Sequence, residues 1–165
     1  MKVVKANITT LKVDAIVNAA NSSLIGGGGV DGSIHEAAGP QLYEECRQMD
    51  GCETGDVKIT KGYDLHAKFI IHTVGPIWRG GTDGEEKILA GCYRKALELA
   101  LENGVKSIAF PSISTGVFKY PIELAARVAV RNVRKFIKVT ESDIKVTFCC
   151  FSASDLKVYK SVLKT

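Results

Sequence analysis

The chain has 165 residues, 45% of them hydrophobic and 24% charged, which fits one compact globular domain with a core of ordinary size. No stretch reaches the roughly 18 consecutive apolar residues of a membrane span, and the start has no apolar segment of signal-peptide length, so a soluble, cytoplasmic protein without a membrane partner is expected. The net charge of +4 favours an anionic partner of nucleotide size but lacks the clustered basic footprint of a dedicated nucleic-acid binder.

Residues 13–18, Val-Asp-Ala-Ile-Val-Asn, read as a short buried strand. The polar, glycine-rich stretch 21–32 is the loop after it, long for a compact α/β domain and therefore read as functional. Ordering Gly26-Gly27-Gly28-Gly29 costs more backbone entropy than any other composition, so the backbone must approach something closely, and a phosphate-bearing ligand is the first candidate. Residues 33–38 read as the first turns of a helix, whose unpaired N–H groups favour anions. Asp31 stands where ligand would meet helix, and taken alone it also reads as the helix N-cap.

Residues 56–60 and 67–74 read as two further strands joined by a turn around Gly62-Tyr63-Asp64, which predicts a hairpin. Thr82-Asp83-Gly84-Glu85 fits a capping box, followed by apolar residues at helical spacing from Ile88 to Ala100 and a stop at Asn103-Gly104. Ser107–Phe110 is an apolar strand, and 111–120 a polar loop leading into a second amphipathic helix. That helix has the buried stripe Ile122, Ala126, Ala129, Val133, Phe136 and Ile137. Its Arg127, Arg131, Arg134, Lys135 and Lys138 read as a solvated face. A last strand, Lys145–Cys150, leads through 151–154 to a terminal helix from about Asp155 to Leu163, with Ser154 as its cap.

Strands alternating with helices imply an α/β domain with a largely parallel sheet covered on both faces. Ligands of such sheets bind beyond the carboxyl ends of the strands, so the segments 18–32, 111–120 and 151–154 should converge on one site. Cys46, Cys52, Cys92, Cys149 and Cys150 contain no C-x-x-C pair and read as reduced packing residues. His35, His66 and His72 lack metal-ligand spacing, so neither metal nor cofactor is expected. Gly27 to Gly32 formally matches the dinucleotide pattern G-x-G-x-x-G. Gly27, however, lies nine residues beyond Asn18 instead of closing a tight turn directly after the strand. No Gly-Lys-Ser/Thr triplet supports a nucleoside-triphosphate loop.

Val17-Asn18-Ala19-Ala20-Asn21, the tetraglycine, and Val30-Asp31-Gly32-Ser33-Ile34-His35-Glu36-Ala37-Ala38-Gly39 together resemble the signature of macrodomains. The resemblance continues through His72-Thr73-Val74-Gly75-Pro76 and residues 111–121, and is closest to MacroD-type O-acetyl-ADP-ribose deacetylases. It implies a single macrodomain over residues 1–165, a three-layer α/β/α fold around a mixed sheet, with ADP-ribose lying across the crest between two loops. By that resemblance Asp31 is the general base and Asn21 holds the distal ribose. Gly29, Val30 and Asp31 line the first loop. Ser114, Thr115, Gly116, Val117 and Phe118 form the second, wrapping the diphosphate. Asn7 and Ile8 map to the adenine pocket, with Phe151 placed to pack on the base.

Two departures stand out. The family has Gly-Asp-Ile-Thr where this chain has Ala6-Asn7-Ile8-Thr9, so an amide replaces the carboxylate that recognises adenine, and binding should weaken by about 1 kcal/mol. Lys119 stands where a glycine is common. The expected reaction is metal-free hydrolysis of an acyl ester on the distal ribose by water that Asp31 activates, on O-acetyl-ADP-ribose or on ADP-ribosyl esters of protein Glu and Asp. A carboxylate is a weak base, so positioning must supply much of the rate. The alternative is a non-catalytic ADP-ribose reader using the same loops. Asn18 and His72 read as structural, and His35 as a packing or supporting residue behind Asp31.

Overall fold

The computed structural model describes residues 1–165. Six strands form one sheet: β1 (Lys2–Lys5), β2 (Ala15–Ala19), β3 (Val57–Lys61), β4 (Phe69–Thr73), β5 (Ser107–Phe110) and β6 (Lys145–Cys150). Their order across the sheet is β1-β6-β5-β2-β4-β3, parallel throughout except for the β3–β4 hairpin. Helices α1 (Gly29–Ala38) and α2 (Pro40–Arg47) cover one face, and α3 (Glu85–Glu102), α4 (Ile122–Thr140) and α5 (Ala153–Leu163) the other. This is the expected three-layer α/β/α fold with a mixed sheet.

Period-two alternation explains the two cores. On β2, Ala15 and Val17 join Leu89, Tyr93 and Val133 of the larger helical layer, whereas Ile16, with Ala20 just past the strand, joins Ile34, Ala38 and Leu42 beneath α1 and α2. On β4, Ile71 faces the first group, and Ile70, with Val74 just past the strand, the second. Asn18 and His72 interrupt that second face, and both are fully buried. No helix is long and apolar enough to cross a membrane.

Several local expectations are corrected. Helix α1 begins at Gly29, four residues earlier than its composition suggests, and its N-cap is Gly28; Asp31 is therefore a residue of the first turn and not the cap. Glycine's poor helix propensity is overridden by packing: a Cβ on Gly32 would stand 2.5 Å from the Gly27 carbonyl, so the loop can lie on the helix only with glycine there. The capping box at Thr82 does not form. Helix α3 starts after Gly84, and Glu85 turns back to accept from the backbone N–H groups of Arg79, Gly81 and Asp83 at 2.9, 2.9 and 2.7 Å. These bonds hold the Glu85 carboxyl down at about 2. Ser152, not Ser154, caps α5 by accepting from Asp155 N. Strand β1 and helix α2 were not foreseen.

Candidate functional site

Because five strands run parallel, the segments leaving β1, β6, β5, β2 and β4 emerge along one edge in that spatial order. Asn7 therefore follows β1 at one end, Phe151 follows β6 beside it, loop 111–120 follows β5, the glycine loop follows β2, and segment 74–84 follows β4. The three segments expected to converge lie on adjacent strands. From β1 to β2 the row spans three strand spacings, about 14 Å.

The glycine loop is built around Leu24, a fully buried plug with φ of 63°. Asn21 shapes it: Oδ1 accepts from Ser23 Oγ at 2.6 Å and Leu24 N at 3.1 Å, while Nδ2 donates to the Gly26 carbonyl at 2.8 Å. One Nδ2 hydrogen remains unused. At the head of α1 no side chain caps the helix, so its first backbone N–H groups stay open near Asp31. The Asp31 side chain is buried. Its Oδ1 accepts from Asn18 Nδ2 at 2.7 Å, and its Oδ2 has no partner. A Cβ placed on Gly27 would lie 3.2 Å from Asn21 Nδ2 and 3.3 Å from Asp31 Oδ2, so the two groups singled out in the sequence border the same space.

His35 lies one turn further along α1, with Nε2 3.5 Å from Asp31 Oδ1 and without a hydrogen bond of its own. Its ring also stands behind Gly26, 3.7 Å from where a Cβ of that residue would lie. Behind Asp31, Asn18 Nδ2 also contacts His72 Nδ1 at 3.1 Å, and His72 Nε2 contacts Thr60 Oγ1 at 2.9 Å. Burial, with the nearby His35 adding to it, pushes His72 down to about 3, so its ring is neutral. Sequence reasoning took Asn18 and His72 as structural and did not connect them to Asp31. The available signal was a polar residue in each of two apolar strands, because a buried amide or imidazole needs a partner.

The second loop turns on Ser114, whose φ is 68°, and Tyr120 N closes it onto Ser114 O at 2.9 Å. Thr115 Oγ1 donates to Ser112 O at 3.1 Å; Gly116 and Val117 form the exposed tip, and Lys119 N bonds Gly116 O at 2.9 Å. Lys119 has φ of 62°, the left-handed conformation that explains why glycine suits this position. Phe118 O accepts from Trp78 N at 2.8 Å, and Trp78 packs tilted against Tyr120 with centroids 4.6 Å apart, so segment 74–84 braces this loop. Gly75 allows the approach, since a Cβ there would overlap the Ser114 hydroxyl.

At the far end, Asn7 is exposed and caps a single 3-10 turn, Ile8–Thr10, its Oδ1 accepting from Thr9 N at 3.0 Å and from Thr9 Oγ1 at 2.7 Å. Ile8 is buried under it. Cys149 Sγ donates to Ala6 O at 3.2 Å, fixing this turn against β6. Phe151 is 88% exposed, an aromatic face open to solvent next to Asn7's strand. All five cysteines are free and buried. Burial pushes every one of their thiols upward, Cys46 and Cys92 to about 11 and Cys150 to about 12, which removes them as nucleophiles at neutral pH.

The Macro domain family model matches residues 17–129. A macro domain-containing protein of Chlorobaculum tepidum is 59% identical over 160 residues, 97% of this chain and 93% of its own length. The ADP-ribose glycohydrolase MACROD2 of Homo sapiens is 52% identical over 158 residues, 94% of this chain but 37% of that protein. Among solved structures, the Oceanobacillus iheyensis macrodomain with ADP matches with a TM-score of 0.92 and 47% identity, covering 98% of this chain and 88% of its own. The Trypanosoma brucei macrodomain in complex with ADP-ribose matches with a TM-score of 0.91 and 44% identity, covering 98% of this chain and 68% of its own. With its glycine loop, its braced second loop and these relatives, the chain belongs to the macro domain family.

Proposed function

We propose that this macrodomain binds ADP-ribose along the row from Asn7 to Asp31 and hydrolyses acyl esters on its distal ribose. Its substrates are O-acetyl-ADP-ribose and proteins carrying mono-ADP-ribose on Glu or Asp. The observation that carries the reading is the Asp31 carboxylate, buried beside the open helix end, with Oδ1 held by Asn18 and Oδ2 unpartnered. The row is long enough for a base at one end and a sugar at the other. Phe151 stacks on the base beside Asn7 and Ile8. Backbone N–H groups of Gly29, Val30 and Asp31 and of the loop from Ser114 to Phe118 hold the diphosphate. Asn21 uses its free Nδ2 hydrogen on the distal ribose.

In the reaction, Asp31 Oδ2 takes a proton from water as the water oxygen bonds to the acyl carbon. The tetrahedral oxyanion then collapses, breaking the bond from the acyl carbon to the ribose oxygen. That oxygen recovers the proton from Asp31 and leaves as a hydroxyl, so ester and water become carboxylic acid and ADP-ribose. The rate comes from holding water, carboxylate and ester together on rigid elements.

The test incubates wild type and Asp31→Ala with O-acetyl-ADP-ribose and with a glutamyl-ADP-ribosylated protein, and follows release by mass spectrometry. Turnover in the wild type and its loss in the variant are expected. Binding without turnover would make the protein a reader, and turnover that survives in the variant would remove Asp31 as the base.

A further inference from the structure

We propose that Asn18 and His72 are positioning residues: His72, carrying its hydrogen on Nε2, locks the Asn18 amide so that Nδ2 faces and holds one oxygen of Asp31. The proposal rests on the reading of Asp31 as general base. An Asn amide can sit in either of two orientations that differ little in shape. In one of them Asn18 would present its carbonyl oxygen to the Asp31 carboxylate, and the two oxygens would repel.

The row leaves one consistent placement of hydrogens. Asn18 Nδ2 has two, one for Asp31 Oδ1 at 2.7 Å and one for His72 Nδ1 at 3.1 Å. His72 Nδ1 therefore accepts, its hydrogen lies on Nε2 and is donated to Thr60 Oγ1 at 2.9 Å, and the Thr60 hydroxyl donates to the Lys61 carbonyl at 3.2 Å. Asn18 Oδ1 is left buried without a partner, so the amide is oriented through its nitrogen alone. The neutrality of the buried ring preserves the arrangement, because a hydrogen on Nδ1 would set two donors against each other.

The sheet makes this row rigid. Asn18 lies directly beside His72 in the β2–β4 register, and Thr60 lies diagonally across on β3. With Oδ1 of Asp31 taken up, the plane of its carboxylate is set and Oδ2 alone faces the space above Gly27.

Two measurements test the lock. Long-range proton–nitrogen correlation spectra of the ligand-free chain are expected to show the His72 hydrogen on Nε2, and a hydrogen on Nδ1 overturns the proposal. This readout needs no substrate, so it stands even if the wild type hydrolyses nothing and the reading of Asp31 fails. With an ADP-ribose ester, Asn18→Leu is expected to lower kcat about 100-fold and His72→Phe about tenfold, KM changing by less than about threefold. The double variant should be no slower than Asn18→Leu, since His72 acts only through Asn18. Additive losses, unchanged kcat, or a loss confined to KM would overturn the lock. Should the core variants fail to fold, Thr60→Val keeps the shape and leaves the Nε2 hydrogen without its acceptor, which loosens the row from its far end; it is expected to lower kcat with KM little changed, and an unchanged kcat overturns the proposal.

Discussion

Asn21 and Asp31 approach one another over a residue that has no side chain. The Asn21 amide nitrogen and the free Asp31 oxygen both lie within 3.3 Å of the point where a Cβ of Gly27 would be. Gly27→Ala therefore fills this space without striking any backbone. It is expected to lower turnover and ADP-ribose affinity by more than about tenfold while the melting temperature stays within about 2 °C. Gly32→Ala behaves differently, because its Cβ meets the Gly27 carbonyl at 2.5 Å. There the expected loss is about 1–3 kcal/mol of stability, read as a drop of several degrees in thermal denaturation.

Asp31→Asn keeps the size of the side chain and removes its capacity as a base. Its kcat is expected to fall about a hundredfold to ten-thousandfold, with ADP-ribose affinity by calorimetry changed far less. An equal loss in both quantities would make Asp31 a binding residue alone.

Asn7 offers a gain of function. Its Oδ1 already receives Thr9 N and Thr9 Oγ1, which in the proposed binding mode leaves Nδ2, a donor, to meet an adenine amino group that is itself a donor. Asn7→Asp keeps the cap and adds a second acceptor. A fivefold to tenfold tighter affinity for ADP-ribose, about 1 kcal/mol, is expected in a titration. Unchanged affinity would place the base elsewhere.

Acid should weaken the fold in two stages. His72 is depressed from 6.5 to about 3 in the folded chain, so between those values the unfolded state binds the extra proton and stability falls with pH. Glu85 is depressed from 4.5 to about 2, so its contribution is present above 4.5 and is lost on the way down to about 2. Melting temperature measured from pH 7.5 to 3 should begin to decline near pH 6.5 and keep falling to pH 3. In Glu85→Gln the decline between pH 4.5 and 3 should be shallower, and in His72→Phe the decline between pH 6.5 and 4.5.

How well the chain could be read depended on whether a local rule had a competitor. Ser107–Phe110 and Lys145–Cys150 match the expected strands residue for residue, since each is an apolar run between polar or glycine-containing turns. Helix α2 escaped notice because only Leu42 and Cys46 of its eight residues are buried, too few to show a period. At Glu85 a side chain that could cap its own helix instead gathers three N–H groups from the preceding turn, a choice that only the folded path of 79–83 reveals. In the site, Asp31 stood out through its glycine-rich setting and Asn21 through the resemblance to macrodomains. The tie from Asp31 through Asn18 to His72 did not, because 54 residues separate the last two and only the β2–β4 register makes them neighbours.

Helix α1 starts on a glycine with no side chain to close its end. In most helices a serine or aspartate occupies those first N–H groups for good, and the helix is finished when the chain has folded. Here those N–H groups are left to water or to a ligand. A diphosphate settling on Gly29 and Val30 would complete the helix as it binds, so recognition and the last step of folding would draw on the same donors, and the occupied protein would melt later by an amount that tracks ligand concentration.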